Sequence, residues 1–136
     1  MSERAERNKA IVRALYDAYN RRDYEAAFAN KAEDYTIEVT GTSWASGRFQ
    51  GRDYIRNELV PKAFPQGVTF RVRNLVADGD VVMAEWENEA HRGGSVYHGR
   101  AVEVFEFEGD MIKRVRAYVD PAPQMAFFGE TPHASE

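Results

Sequence analysis

The chain has 136 residues, 43% of them apolar, and carries 18 Lys and Arg against 22 Asp and Glu, a formal net charge of −4. Such a length and apolar share fit a single globular domain with a core of its own and exclude the disordered class. The charge argues against nucleic acid as a partner, and the absence of cysteine excludes disulfides, thiolate nucleophiles and cysteine-bound zinc.

The opening "MSERAERNKA" has no apolar h-region, and no run is long enough to span a bilayer. A soluble cytoplasmic domain without a membrane partner is expected. From Arg4 to about Asn20, Ile11, Leu15, Ala18 and Tyr19 recur at helical spacing. Asp23 then caps a short second helix, "YEAAFAN". "DYTIEVTG" alternates as a half-buried strand, and "TGTSWASGRFQG" reads as a loop with an isolated Trp44. "RDYIRNELVPKAF" predicts a third helix that Pro61 bends or ends.

The rest is β-rich. "VTFRVRNLVA" and "VVMAEWENEA" flank a "DGD" turn, and "HRGG" leads into "HGRAVEVFEF". After "EGD" comes "MIKRVRAYVD", and then a proline-containing tail with the cluster "MAFF". Helices followed by a run of strands predict an α+β domain over residues 1–136, with its core at about 8–120 and a tail at 121–136 that would serve as a lid. A curved, mixed or antiparallel sheet would wrap around the helices and leave a cone-shaped pocket.

One residue stands out. Ala101, Glu103, Phe105 and Phe107 share one strand face, so a carboxylate lies in line with two core phenylalanines. Burial would raise its pKa, and such a cost is kept where a partner or a task offsets it. The plain reading is a Glu satisfied by a buried Arg or Tyr.

The segments "LYDAYNRRDYEAAFA", "GRDYIRNEL" and "GRAVEVFEFEGDMIKRVRAYVD" together resemble the nuclear transport factor 2-like, or cystatin-like, α+β cone superfamily. Set against its ketosteroid isomerases, a worked case of carboxylate pKa tuning, the base position falls on Val39. The tyrosine position falls on Leu15, with Tyr16 and Tyr19 nearby, and the late-strand acid on Glu103. Two of three groups are missing, so that chemistry is not expected. SnoaL-like polyketide cyclases resemble the chain more. They carry an acid before an aromatic-x-aromatic strand, matching "EVFEF", and a histidine in an upstream hairpin, matching His91 of "EAHRGG".

The resemblance implies a cofactor-independent enzyme in which Glu103 abstracts or relays a proton alpha to a carbonyl, leading to cyclisation, isomerisation or dehydration. Tyr19, or His91 if a bulge turns it inward, would stabilise the enolate. Strict alternation points His91 outward. Trp86, Asn88, Trp44, Tyr16, Val39, Phe105, Val115, Ala117 and Val119 are the candidate substrate-binding residues. No phosphate loop or dinucleotide fingerprint occurs, and no two histidines have metal-ligand spacing. The alternatives are a binding module for an apolar small molecule and, last, an epoxide hydrolase. Glu85, Glu87 and Glu89 would meet Arg100, Arg114 and Arg116 on the outer sheet face. Val102, Val104 and Tyr118 there form an apolar strip, which predicts a homodimer through that face.

Overall fold

The computed structural model describes residues 2–130. Helix α1 (Glu3–Asn20) starts at Ser2, whose hydroxyl accepts from the Ala5 amide at 3.1 Å. Its buried face runs through Ala5, Asn8, Val12, Leu15 and Tyr16, while Ile11 and Tyr19 are half-buried. Asp23 caps α2 (Tyr24–Phe28) by accepting from the Ala26 amide at 3.1 Å. Strand β1 (Lys31–Val39) follows, and β2 (Gly47–Gln50) forms within the stretch expected to be a loop.

The third helical region is interrupted. α3 (Arg52–Tyr54) passes into a π-helical turn, Ile55–Leu59, and then into α4 (Val60–Ala63). Pro61 falls in the first turn of α4, where a missing N–H costs least, so the preceding π-turn carries the helix past it. Ile55, Leu59 and Val60 thereby face the interior cavity together.

Strands β3 (Val68–Asp78), β4 (Val81–Arg92), β5 (Ser95–Glu108) and β6 (Met111–Val119) form a meander. Its turns hold Gly79, Gly93 and Gly109, each at positive φ near 60°. The six-stranded sheet has the order β2-β1-β6-β5-β4-β3, with β1 and β6 parallel and the other neighbours antiparallel. Register shifts in β1, β3 and β6 interrupt the ladder, and such bulges bend a sheet. Inner positions of β4 and β5 pack against α1, giving a core around Val12, Tyr16, Ala84 and Phe105.

The tail contains α5 (Pro121–Phe128), with prolines at its start, where no intrahelical N–H bond is lost. Phe127 and Phe128 pack on Tyr97, at 5.1 and 5.4 Å between ring centroids. Residues 131–136 of the expected tail lie outside the described residues. Among the described residues no helix is long and apolar enough to cross a membrane.

The outer face departs from expectation in its pairing. Glu87 takes Arg71 and Arg73 from β3, and Arg114 and Arg116 converge on Glu106. Arg100 pairs with Asp120 at 3.0 Å. Register allows either pairing for Glu87, since Arg71 and Arg100 lie directly across from it on its two sides. Arg100 turns instead to Asp120, and Arg114 lies directly across from Glu106. Val104 is buried between Met83 and Arg116 on the neighbouring strands, so the exposed apolar strip comprises Val102, Tyr118 and Met83.

Candidate active site

Alternation along β5 delivers Glu103 to the inner face, where it is 9% exposed and lines a cavity of about 140 Å³. Two donors meet on one of its oxygens. The Tyr16 hydroxyl from α1 donates to Oε1 at 2.5 Å, and Trp86 Nε1 from β4 donates to the same atom at 2.7 Å. Oε2 takes no hydrogen bond from the described residues. Both donors are held by rings: Phe70 lies 5.1 Å from Tyr16 and 4.8 Å from Trp86. The carboxylate is thus oriented by one oxygen and left with the other unspent.

Burial pushes the Glu103 pKa up, while the Tyr16 and Trp86 hydrogen bonds and the Lys31 charge oppose that rise. Tyr16 is pushed up as well, by burial first and then by the neighbouring carboxylate.

Lys31, the first residue of β1, is the group that sequence reading missed. It is 3% exposed, and with Glu103 it supplies the cavity's charged side chains. Its Nζ sits 3.9 Å from the Phe28 ring centroid, 4.8 Å from Tyr35 and 5.3 Å from Tyr19. One long hydrogen bond, 3.4 Å to the Tyr19 hydroxyl, is its polar contact. Burial lowers its pKa to about 8, and the Glu103 charge resists that fall. The aromatic faces attract the ammonium, but they do not use its N–H donors.

The other expected residues divide by position. Tyr16, Tyr19, Val39, Trp86, Asn88, Phe105, Ala117 and Val119 line the cavity. Val115 is buried in the core beside it, outside the lining. Trp44 is also outside: it packs on Phe128 at 5.3 Å, beneath the cations of Lys62 and Arg92. His91 lies on the exposed face, 3.3 Å from Glu89, because β4 continues to Arg92 without a bulge at that point. The structure therefore does not bring His91 to Glu103. From the tail, Gln124 and Phe128 of α5 close one end of the cavity. Among the described residues no three His, Asp or Glu side chains gather as a metal-ligand set.

The arrangement can hold an uncharged, mostly apolar small molecule. It sets a carboxylate and an ammonium against that molecule, with water largely excluded.

A family model described as the SnoaL-like domain matches residues 12–115. No curated protein matches the sequence. Among solved structures, a protein from a soil-derived mobile gene cassette superposes with a TM-score of 0.82 at 22% identity, covering 93% of this chain and 99% of that one. A candidate SnoaL-like polyketide cyclase from a Jannaschia species gives 0.74 at 14% identity, covering 97% and 98%. A candidate ketosteroid isomerase from Kribbella flavida gives 0.67 at 27% identity, covering 87% and 81%. These likenesses speak for the fold, which hosts several chemistries. The family match runs from α1 to β6, across the elements that carry Tyr16, Lys31, Trp86 and Glu103, and the chain belongs to the SnoaL-like domain family.

Proposed function

We propose that the protein is a small-molecule enzyme that removes or relays a proton alpha to a carbonyl, with Glu103 as the base. The observation that carries this reading is the buried carboxylate fixed through Oε1 by Tyr16 and Trp86, with Oε2 unspent, in a mostly apolar cavity. A raised pKa strengthens the carboxylate as a base. Lys31 donates to the Tyr19 oxygen, which leaves the Tyr19 proton for the carbonyl oxygen of a substrate. As Glu103 takes the α-proton, the C–H electron pair moves into an enolate, and Tyr19, backed by the Lys31 ammonium, receives the developing charge. Returning the proton elsewhere gives isomerisation, attack on a second carbonyl gives cyclisation, and loss of a β-hydroxyl gives dehydration.

A second reading is a binding module, favoured by the two donors that already satisfy Glu103 Oε1. Epoxide hydrolysis is supported less, because Glu103 is the cavity's one carboxylate among the described residues. NMR-detected deuterium uptake from heavy water by cyclic enones and β-keto esters separates these readings. Wild type should exchange α-protons, and folded Glu103→Gln should lose that by about 10²–10⁴-fold. Binding without exchange supports the module, and equal exchange by both proteins rejects Glu103 as the base.

The same proposal extends to assembly. The exposed strip of Val102, Tyr118 and Met83 on the outer sheet face fits a homodimer interface with a second copy of the chain.

A further inference from the structure

Two amide side chains in the cavity wall have no use in the mechanism above. Asn88 is 7% exposed and Gln124 is 2% exposed, and both line the cavity. Asn88 Oδ1 and Gln124 Oε1 are buried with no hydrogen-bond partner, and neither side chain donates a hydrogen bond to the described residues. A third buried oxygen in this state, Asn8 Oδ1, lies away from the cavity, on a side chain that donates to the Gly79 carbonyl at 3.2 Å. Buried polar atoms in native structures are nearly always paired, so two amide side chains without partners in the wall of one cavity call for a ligand.

Register places them relative to Glu103. On β4, Ala84 lies directly across from Glu103 and Asn88 directly across from Gly99. Asn88 is two residues beyond Trp86 and four beyond Ala84, or about 7–13 Å along the strand. Gln124 belongs to α5, one turn before Phe128, which packs on Tyr97. Both amides therefore lie toward the end of the cavity that α5 closes.

We propose that Asn88 and Gln124 form a neutral polar subsite for a hydroxyl group, so that the substrate is an uncharged carbonyl compound with a hydroxyl roughly 7–13 Å from the reacting carbon. An amide carries both an acceptor oxygen and donor N–H groups, and turning its last torsion exchanges them. A hydroxyl, which donates and accepts, complements either orientation. A carboxylate does not, since it can only accept and brings a charge that neither amide neutralises. The position of the carbonyl end rests on the proposed role of Glu103, whereas the hydroxyl end rests on the amides alone.

The test is a binding comparison by calorimetry, with 4-(4-hydroxyphenyl)butan-2-one and 4-phenylbutan-2-one as the matched pair. Wild type should bind the hydroxylated ketone about tenfold more tightly, the weight of one well-formed hydrogen bond. Asn88→Leu, Gln124→Met or both should bring the two affinities together while leaving the thermal midpoint unchanged or higher. The methyl ether 4-(4-methoxyphenyl)butan-2-one, which cannot donate, should lose affinity on the wild type, and this arm needs no variant. Equal binding of the pair, binding of neither ketone at millimolar concentration, or a preference unchanged in both variants overturns the proposal. α-Proton exchange of the same ketones is read separately. Preference without exchange removes the role of Glu103 and keeps the subsite; exchange without preference does the reverse.

Discussion

The Tyr16 hydroxyl and Glu103 Oε1 meet at 2.5 Å, which ties the middle of α1 to the centre of β5 across 87 positions of the chain. That contact favours the ionised carboxylate, against the burial that favours the neutral acid. Tyr16→Phe keeps the ring packed and removes the donor. The rising limb of the pH–exchange profile should then move to higher pH. Exchange at neutral pH should fall about tenfold, in line with losing a charge-assisted hydrogen bond of at least ~1.5 kcal/mol. An unshifted profile would mean that Tyr16 does not set the protonation of Glu103.

Glu103 also makes stability depend on pH. Its folded pKa lies above the ordinary 4.5, so the folded state holds its proton more tightly than the unfolded chain does. The resulting stabilisation is complete below about 4.5 and is lost as pH rises through the raised value. Measured by urea unfolding, wild type should weaken relative to Glu103→Gln as pH climbs from 4.5. A constant difference from pH 4 to 9 would show an ordinary, unshifted carboxyl.

Lys31 has the opposite sign. Its pKa falls from 10.5 to about 8 on folding, a cost of about 3 kcal/mol at neutral pH before aromatic contacts offset part of it. Lys31→Met should therefore be more stable than wild type at pH 7, by about 1–3 kcal/mol. That gain should be largest in acid and shrink as Glu103 ionises, because the variant lacks the Lys31 charge that favours the ionised form. It should shrink again as pH rises from 8 towards 10.5. The buried tyrosines affect both proteins alike and cancel in the difference. Exchange activity should fall by about 10²-fold, since an ammonium behind the enolate oxygen is lost. A variant both less stable and fully active would refute this account of Lys31.

The contrast between these two charges shows what sequence alone makes readable. Glu103 could be found because period-2 spacing sets it in line with Ala101, Phe105 and Phe107, and a carboxylate breaks that apolar face. Lys31 could not. It opens β1 just before a register shift, its strand buries residues in adjacent pairs, and a lysine at a helix-strand junction reads as surface. The four-residue strand β2 carries too few alternating positions to register. α5 was hidden by prolines that usually stop helices but here start one. The face of α1 was offset by one residue, because Ile11 and Tyr19 fit the spacing as well as Val12 and Tyr16 do. Tertiary contact with Glu103 and Phe70 decides between them.

Gly99 marks a close approach. A Cβ there would collide with Asn88 Oδ1 and the Tyr97 hydroxyl. Tyr97 is stacked on Phe127 at 5.1 Å and cannot withdraw freely. Gly99→Ala should thus destabilise by about 1–3 kcal/mol, the usual cost of overpacking. Unfolding in urea measures it, and an unchanged midpoint would show that the Tyr97 ring yields.

The outer face supplies the last prediction. Val102 is 38% exposed, Tyr118 52% and Met83 44%, with Val102 and Tyr118 directly paired across β5 and β6. The ion pairs of Glu87, Glu106 and Arg100 surround this strip with charge, the polar rim that a stable interface carries around an apolar centre. A standard interface needs about 800 Å² from each partner, an area that the face of a six-stranded sheet can provide. Analytical ultracentrifugation should find wild type as a dimer at micromolar concentration. Tyr118→Glu and Val102→Glu place like charges opposite each other across a two-fold axis and should give monomers with unchanged circular dichroism. The cavity is on the other side of the sheet, so those monomers should still exchange α-protons. Wild type sedimenting as a monomer would remove the dimer and leave the strip as ordinary exposed surface.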